Sequence, residues 1–196
     1  EELPLELGTL PVVTPAKLAE VFATKATYEA SENYVAGDDN FYIIFTSGTT
    51  GVPKGVQISH DNLVSFNTWM QTDFGLASDG ICLSQPPYSF DLSVMDLYPT
   101  LTAGRQLTVL PKETTDNFKE LFAVLPKLHV SEWVSTPSFM DICLLQPTFD
   151  AKNLPELTHF FFCGEELTHK TAATLKQRFP EAKIYNTYGP TEATVA

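Results

Sequence analysis

One ten-residue stretch limits what this chain can be more than any other. Thr46-Ser47-Gly48-Thr49-Thr50-Gly51-Val52-Pro53-Lys54-Gly55 holds three glycines, four hydroxyl side chains and one lysine. That mixture suits a loop wrapped around a polyphosphate. Glycine lets backbone N–H groups turn toward the anion, hydroxyls add donors and lysine supplies charge. The flanks set its place in the fold. Phe41-Tyr42-Ile43-Ile44-Phe45 reads as a buried strand. Beyond the loop, Val56 and Ile58 alternate with Gln57 and Ser59, which reads as a second strand. A Walker loop needs its lysine followed by Ser or Thr and opens directly into a helix. Here Gly55 follows Lys54, so the loop joins two strands. A plain Gly/Thr-rich hairpin turn is the alternative reading.

Composition narrows the classes. The 196 residues are enough for one domain with a real core, and a mean hydropathy of −0.04 is that of an ordinary globular chain. Twelve basic against 24 acidic residues give a net charge of −12. This argues against nucleic acid, which needs basic surface, and against an anionic membrane face. It is also awkward for a nucleotide, so any phosphate site has to be local and helped by a metal. No stretch approaches the ~20 apolar residues of a membrane span. The start, Glu1-Glu2-Leu3-Pro4, is acidic and proline-broken, unlike a signal peptide. Cys82, Cys143 and Cys163 have neither C-x-x-C nor zinc spacing, and reduced thiols in a cytoplasmic protein are expected. The chain has no initiator methionine and stops inside a polar motif, so it reads as part of a longer protein.

Thr14-Pro15 predicts a helix start, with Leu18, Val21 and Phe22 on one face, and residues 31–40 read as a loop. From Phe41 onward, strands and helices alternate. Helices are predicted from Leu63, Phe66, Met70 and Phe74, over 92–102, from Phe118 to Leu128 after cap-friendly Thr115 and Asp116, from Pro137 to about Leu145, and from Thr168 through Phe179. Strands are predicted at 81–83, 107–110, 133–134, 160–162 and 184–185. The expected fold is therefore α/β, with mostly parallel sheets flanked by helices. In such sheets ligands sit beyond the carboxyl ends of the strands. Those ends carry Thr46-Ser47, Gln85-Pro86, Ser135-Thr136, Cys163-Gly164-Glu165 and Asn186-Thr187-Tyr188, which predicts one shared site.

Three further segments bear chemistry. In Asn186-Thr187-Tyr188-Gly189-Pro190-Thr191-Glu192, Tyr188 offers a flat face for a base, Thr191 a hydroxyl and Glu192 a carboxylate able to reach a hard cation such as Mg²⁺. A polar turn with Tyr188 merely packing is the alternative. Asp91 places one carboxylate in an aromatic stretch, where burial is costly without a partner. It either caps the following helix or anchors a substrate ammonium. Cys163 ends a buried strand, where a free cysteine is most often part of the core. The four histidines show no metal spacing.

Residues 42–55, together with 186–192, resemble the two diagnostic motifs of the adenylate-forming enzymes, and the likeness covers residues 41–196 strongly and the lead-in 1–40 weakly. It implies the large N-terminal domain of such an enzyme, with residues 41–196 as its ATP- and amino-acid-binding part and the mobile C-terminal domain outside the chain. Carried over, Thr46, Ser47, Gly48, Thr49, Thr50, Gly51 and Lys54 hold the β- and γ-phosphates. Gly164 and Glu165 form a backbone wall against the adenine, with Asn186, Thr187 and Tyr188 on its other side. Thr191 contacts the α-phosphate and Glu192 the Mg²⁺. Asp91 matches the aspartate that binds the α-amino group of amino-acid substrates. Phe162-Cys163-Gly164-Glu165, Phe90 to Pro99 and Asn186 to Val195 resemble the D-alanine-activating branch, in which Cys163, Gly189 and Val195 would shape the substrate pocket. That branch implies D-alanine as substrate and transfer to the phosphopantetheine thiol of a D-alanyl carrier protein, in teichoic acid decoration. The family's ribose-binding aspartate and catalytic lysine lie beyond Ala196, so this chain alone is expected to adenylate poorly. A peptide-synthetase adenylation domain for another amino acid, and a non-catalytic nucleotide-binding module, remain as alternatives.

Overall fold

The computed structural model describes residues 12–24, 34–47 and 51–196. Gly48, Thr49 and Thr50 of the glycine-rich loop lie outside the described residues. The chain divides into two units, 1–34 and 35–196. In the first, α1 (Pro15–Ala23) starts where Thr14 Oγ1 accepts from Lys17 N at 3.2 Å and Pro15 takes the first helical position. Leu18, Val21 and Phe22 are exposed.

The second unit is built on a five-stranded, wholly parallel sheet. Its strands are β3 (Ile81–Ser84), β4 (Gln106–Val109), β5 (Glu132–Ser135), β6 (His159–Phe162) and β7 (Lys183–Asn186), in the spatial order β4-β3-β5-β6-β7. Alternation along each strand sends side chains to two different cores. On one face Leu83, Trp133, Phe160 and Phe162 pack with residues of α5 (Phe118–Val124), α6 (Pro137–Cys143) and α7 (His169–Arg178). On the other, Cys82, Val134 and Phe161 meet α2 (His60–Asp73) and α3 (Leu92–Thr102). Helices on both faces explain why the strands read as continuous apolar runs.

Several boundaries moved for identifiable reasons. Thr115 and Asp116 do not cap α5. They belong to a short helix, α4 (Lys112–Asp116), and the cap is Asn117, whose side chain accepts from Glu120 N at 3.3 Å. The helix expected to run to Leu128 ends at Val124 and tightens into a 3₁₀ turn over Leu125–Lys127, because Pro126 supplies no N–H. Ser59 caps α2 in a reciprocal box with Asn62. All three cysteines are buried and unpaired.

The strands β1 (Asn40–Thr46) and β2 (Lys54–Ser59) form a separate antiparallel pair, so Thr46-Ser47 does not end a strand of the parallel sheet. Phe41–Phe45 is a strand, but it is not buried. Phe41, Ile43 and Phe45 are exposed, Ile43 and Phe45 on the outer face of the hairpin. The directly opposed pairs Tyr42–Ile58, Ile44–Val56 and Thr46–Lys54 share the inner face. Ile58 is buried there, and Tyr42 packs against the core of α2 and α3. The Asn40–Tyr42 irregularity in the ladder inserts Phe41 as an extra residue, turning its ring against Tyr98 at 5.5 Å.

Candidate functional site

Because β3, β5, β6 and β7 are parallel and in register, their carboxyl ends reach a common edge. Ser84-Gln85, Ser135-Thr136, Cys163-Gly164 and Asn186-Thr187 leave the sheet there. Four of the five polar strand ends therefore converge. The fifth, Thr46-Ser47, ends a strand of the hairpin instead, and the hairpin meets the segment after β7 where β2 packs against the 3₁₀ turn Thr191–Ala193. Thr46 and Lys54 face one another where the glycine-rich loop leaves the hairpin, and Ser47, Gly51 and Lys54 are exposed.

At the end of β6, Gly164 has φ +88°, and a Cβ on it would sit 3.3 Å from the Phe90 ring. Only glycine suits that backbone and that approach. The Phe90 ring thus lies directly on the Gly164 backbone and brings Asp91 to this margin. Glu165 is exposed, and its carboxylate accepts from Ser138 N and Ser138 Oγ, both at 3.0 Å, tying the β6 exit to the first turn of α6.

Asp91 precedes α3 but does not cap it. Its backbone is helical (φ −62°, ψ −23°) and its side chain makes no capping hydrogen bond. The carboxylate is nevertheless in a residue only 7% exposed. A nearly buried, uncapped carboxylate is the expected form of a cation anchor. Cys163 and Val195, both buried, meet directly, the thiol lying 3.6 Å from the Val195 carbonyl oxygen. They belong to the same apolar cluster as Leu92, the neighbour of Asp91.

The segment after β7 doubles back. Thr187 donates to the Phe162 carbonyl through both its N–H (2.8 Å) and its hydroxyl (3.1 Å). A Cβ on Gly189 would lie 2.5 Å from Ala196 Cα, so no side chain fits at that crossing. Thr194 and Val195 take left-handed backbone (φ 61° and 79°), a strained arrangement for β-branched residues. Asn186 and Tyr188 are exposed, Tyr188 at 91%, so its ring face is open. Glu192 lines a cavity of ≈ 300 Å³ with Asn62, Phe66, Trp69 and Thr194. A separate cavity of ≈ 290 Å³ is lined by Gln85, Phe90, Thr136, Ser138 and Phe139. Glu192 and Phe90 thus line different recesses.

Among the described residues no three His, Cys, Asp or Glu side chains gather as a metal cage. A lone exposed carboxylate such as Glu192 fits Mg²⁺, which keeps waters and phosphate oxygens as its other ligands.

Sequence reasoning passed over Asp96. This residue of α3 is 0% exposed and neither carboxylate oxygen has a hydrogen-bond partner among the described residues. Burial pushes its pKa up from 3.8 to about 8, moderated by the Ser84 hydroxyl and the backbone of Gln85 and Leu97 nearby. A visible signal was its position four residues after Leu92, on the buried face of α3. Tyr42 was read only as a strand residue, yet its hydroxyl is buried without a partner among the described residues.

A family model described as AMP-binding enzyme matches residues 6–196. The D-alanine–D-alanyl carrier protein ligase of Lactiplantibacillus plantarum is 68% identical over 196 residues, and that of Streptococcus agalactiae 56% over 197. Each comparison covers 100% of this chain and 38% of the relative, so the chain spans well under half the length of the curated relatives it matches. A Vibrio cholerae adenylation domain, AlmE, solved with glycyl-adenosine-5′-phosphate, aligns with a TM-score of 0.74 at 30% identity over 83% of this chain and 30% of that one. The N-terminal domain of FACL13 from Mycobacterium tuberculosis aligns with a TM-score of 0.77 at 18% identity, over 93% of this chain and 44% of that one, a likeness of fold.

Proposed function

The chain belongs to the AMP-binding enzyme family, and from that premise we propose that it supplies the ATP- and amino-acid-binding part of a ligase that activates D-alanine and passes it to a carrier protein. The relatives named for that activity, at 56–68% identity, support the reading. So does one local observation that carries it furthest. A nearly buried, uncapped Asp91 immediately precedes Leu92, which shares an apolar cluster with Cys163 and Val195, and those two touch. This pairs an anionic group for an ammonium with small apolar surfaces for a methyl.

The reaction proposed is attack of the D-alanine carboxylate on the α-phosphorus of ATP, giving D-alanyl-adenylate and pyrophosphate. It needs no protein nucleophile, so this chain contributes positioning and charge. In this proposal Asp91 holds the ammonium, and Thr46, Ser47, Gly48, Thr49, Thr50, Gly51 and Lys54 hold the β- and γ-phosphates. Thr191 contacts the α-phosphate. Gly164, Glu165, Asn186, Thr187 and the open face of Tyr188 take the adenine. Gly189, which no side chain can replace without moving Ala196, lets the segment fold back so that Val195 reaches Cys163. Glu192 would hold Mg²⁺, which neutralises phosphate charge when bound. In the second half-reaction the phosphopantetheine thiol of a D-alanyl carrier protein would attack the carbonyl of D-alanyl-adenylate, forming a D-alanyl thioester and releasing AMP. Residues 1–40 are proposed as the lead-in to the same domain, and the cytoplasm as the place of action. Among the described residues no helix is long and apolar enough to cross a membrane.

The test is amino-acid-dependent ATP–pyrophosphate exchange by the full-length protein with D-alanine, L-alanine, glycine and D-serine. D-alanine is expected to lead, with some leakage to glycine, because one methylene is worth only ~1–3 kcal/mol. Preference for a larger amino acid would replace this reading with that of a peptide-synthetase domain. Asp91→Ala is expected to lower the specificity constant by ~2–5 kcal/mol; a loss under about tenfold, 1.4 kcal/mol, would remove Asp91 from substrate binding.

A further inference from the structure

The inner face of the hairpin carries a polar group that the proposed reaction has not used. Tyr42 sits on β1 with its ring packed against the core that contains Leu92, Met95, Cys163 and Val195. Its hydroxyl is buried and has no hydrogen-bond partner among the described residues. An unpaired buried hydroxyl costs about 1–3 kcal/mol, which is unusual to leave in place without a role. Asp91, at the start of the helix on which this core rests, is the second unmatched group. One is a donor without an acceptor, and the other a carboxylate whose capping role is vacant.

Packing places the two in one neighbourhood, because Tyr42 lies against the cluster that contains Leu92, the residue next to Asp91. The Tyr42 pKa is raised, first by burial, then by the charge of Asp91, then by Tyr98. The phenol therefore stays an O–H donor through the physiological range. Tyr42 also shares its strand face with Thr46 and Lys54, at the mouth of the glycine-rich loop. One short strand would thus carry both a wall of the amine site and the entrance to the phosphate site.

We propose that Tyr42 is a positioning residue of the amino-acid site, whose hydroxyl donates to the Asp91 carboxylate and holds it in the orientation that receives the substrate ammonium. The inference rests on the amino-acid-activating reading above. Hydrogen bonds of this kind are often long in the free enzyme and tighten once substrate is bound. A tyrosine donating to one carboxylate oxygen leaves the other oxygen directed at the ammonium. Without it the carboxylate is free to rotate, and the site loses orientation rather than charge.

The experiment is D-alanine-dependent ATP–pyrophosphate exchange by the full-length protein, with Tyr42→Phe, Asp91→Asn and the double variant. Tyr42→Phe keeps the ring and removes a hydroxyl that has no structural partner, so its melting temperature is expected not to fall. Its KM for D-alanine is expected to rise about tenfold or more, the scale of a hydrogen bond to a charged group. The KM for ATP and kcat are expected to stay within about twofold. In the Asp91→Asn background, Tyr42→Phe is expected to add little, because the carboxylate it orients is gone. An unchanged KM for D-alanine, equal shifts in both KM values, or full additivity with Asp91→Asn would each overturn the proposal while leaving the wild-type reading intact. Absence of exchange by the wild type with any amino acid would overturn both.

Discussion

In β6, Phe160, Phe161 and Phe162 are each at most 1% exposed, whereas in β1 the alternate residues Phe41, Ile43 and Phe45 are 39%, 51% and 70% exposed. Both stretches are runs of large apolar residues, and both are strands. They differ in what lies above and below them. β6 has a parallel neighbour on each side and helices against both faces. β1 has one antiparallel neighbour, and it meets the core through Tyr42 on its inner face and through Phe41, turned at the bulge against Tyr98. An isolated pair of strands is marginal in water without such a packed face. The contrast separates a scaffold from a carrier. The parallel sheet fixes Asp91, Cys163, Gly164 and Thr187 relative to one another, while the hairpin carries Thr46 and Lys54, proposed to meet the phosphates, on a face held at few points. Local opening is easiest where buried apolar contacts are fewest, which suits the part that has to admit a nucleotide.

The scaffold half of that comparison predicts the largest effect. Trp133 on β5 is wholly buried, stacked near Phe139 and edge-on to Phe149 at 5.4 Å, and its indole N–H donates to Ser135 Oγ at 2.9 Å. Trp133→Ala removes the ring and leaves a cavity, at an expected cost of ~3–5 kcal/mol in urea unfolding of the chain. A loss below about 1 kcal/mol would mean that the sheet is not the chief source of stability.

Next in size is Asp96, because the same scaffold buries a carboxyl without a partner. Its folded pKa is about 8 against 3.8 for the free side chain. Between those values the folded state keeps a proton that the unfolded state has released. Stability therefore falls as pH rises from about 4 to about 8, and levels off above. Asp96→Asn stays neutral at every pH and removes this slope. The variant is expected to match the wild type near pH 4 and to exceed it by a few kcal/mol near pH 8, read by denaturation at several pH values. A variant that is less stable at both ends would show that the carboxyl has a partner that matters.

Gly164 probes the join between scaffold and site. Alanine there has to adopt φ +88° and press on the Phe90 ring. Strain of this kind costs ~1–3 kcal/mol. A lower melting temperature is expected, together with weaker ATP binding in the full-length protein. An unaffected KM for ATP would take Gly164 out of the nucleotide wall.

Much of this contrast was already legible in the residues, and its failures share a cause. Period-3.6 and cap signals placed Thr14, Thr168 and the buried face of α2 correctly, because caps and amphipathic faces are local. Strands of the parallel sheet were found as apolar runs. The same rule misread Phe41–Phe45, because a run of apolar residues does not say whether both faces are covered. That depends on which strands become neighbours. Asp91 was singled out because an acid among aromatics is conspicuous. Asp96 and the Tyr42 hydroxyl passed unnoticed because their lack of partners exists only in three dimensions. The convergence of four strand ends followed from parallel topology alone, whereas the approach of the hairpin to Thr191 depends on how β2 packs.

The smallest effect belongs to the outer face of the hairpin, and there a near-zero result carries information. Phe45 is 70% exposed and its directly opposed residue is Gly55, which offers it no side chain. Phe45→Ser in the 196-residue chain is expected to change stability by no more than ~0.5 kcal/mol, as for surface sites away from caps and cores. The inner-face counterpart is Ile58, 1% exposed and opposite Tyr42, where Ile58→Ala is expected to cost ~2–5 kcal/mol. The pair of measurements asks whether the hairpin is held from one side. Similar large losses at both positions would mean that the outer face is also covered, and the hairpin would then be a second scaffold rather than a carrier resting on the first.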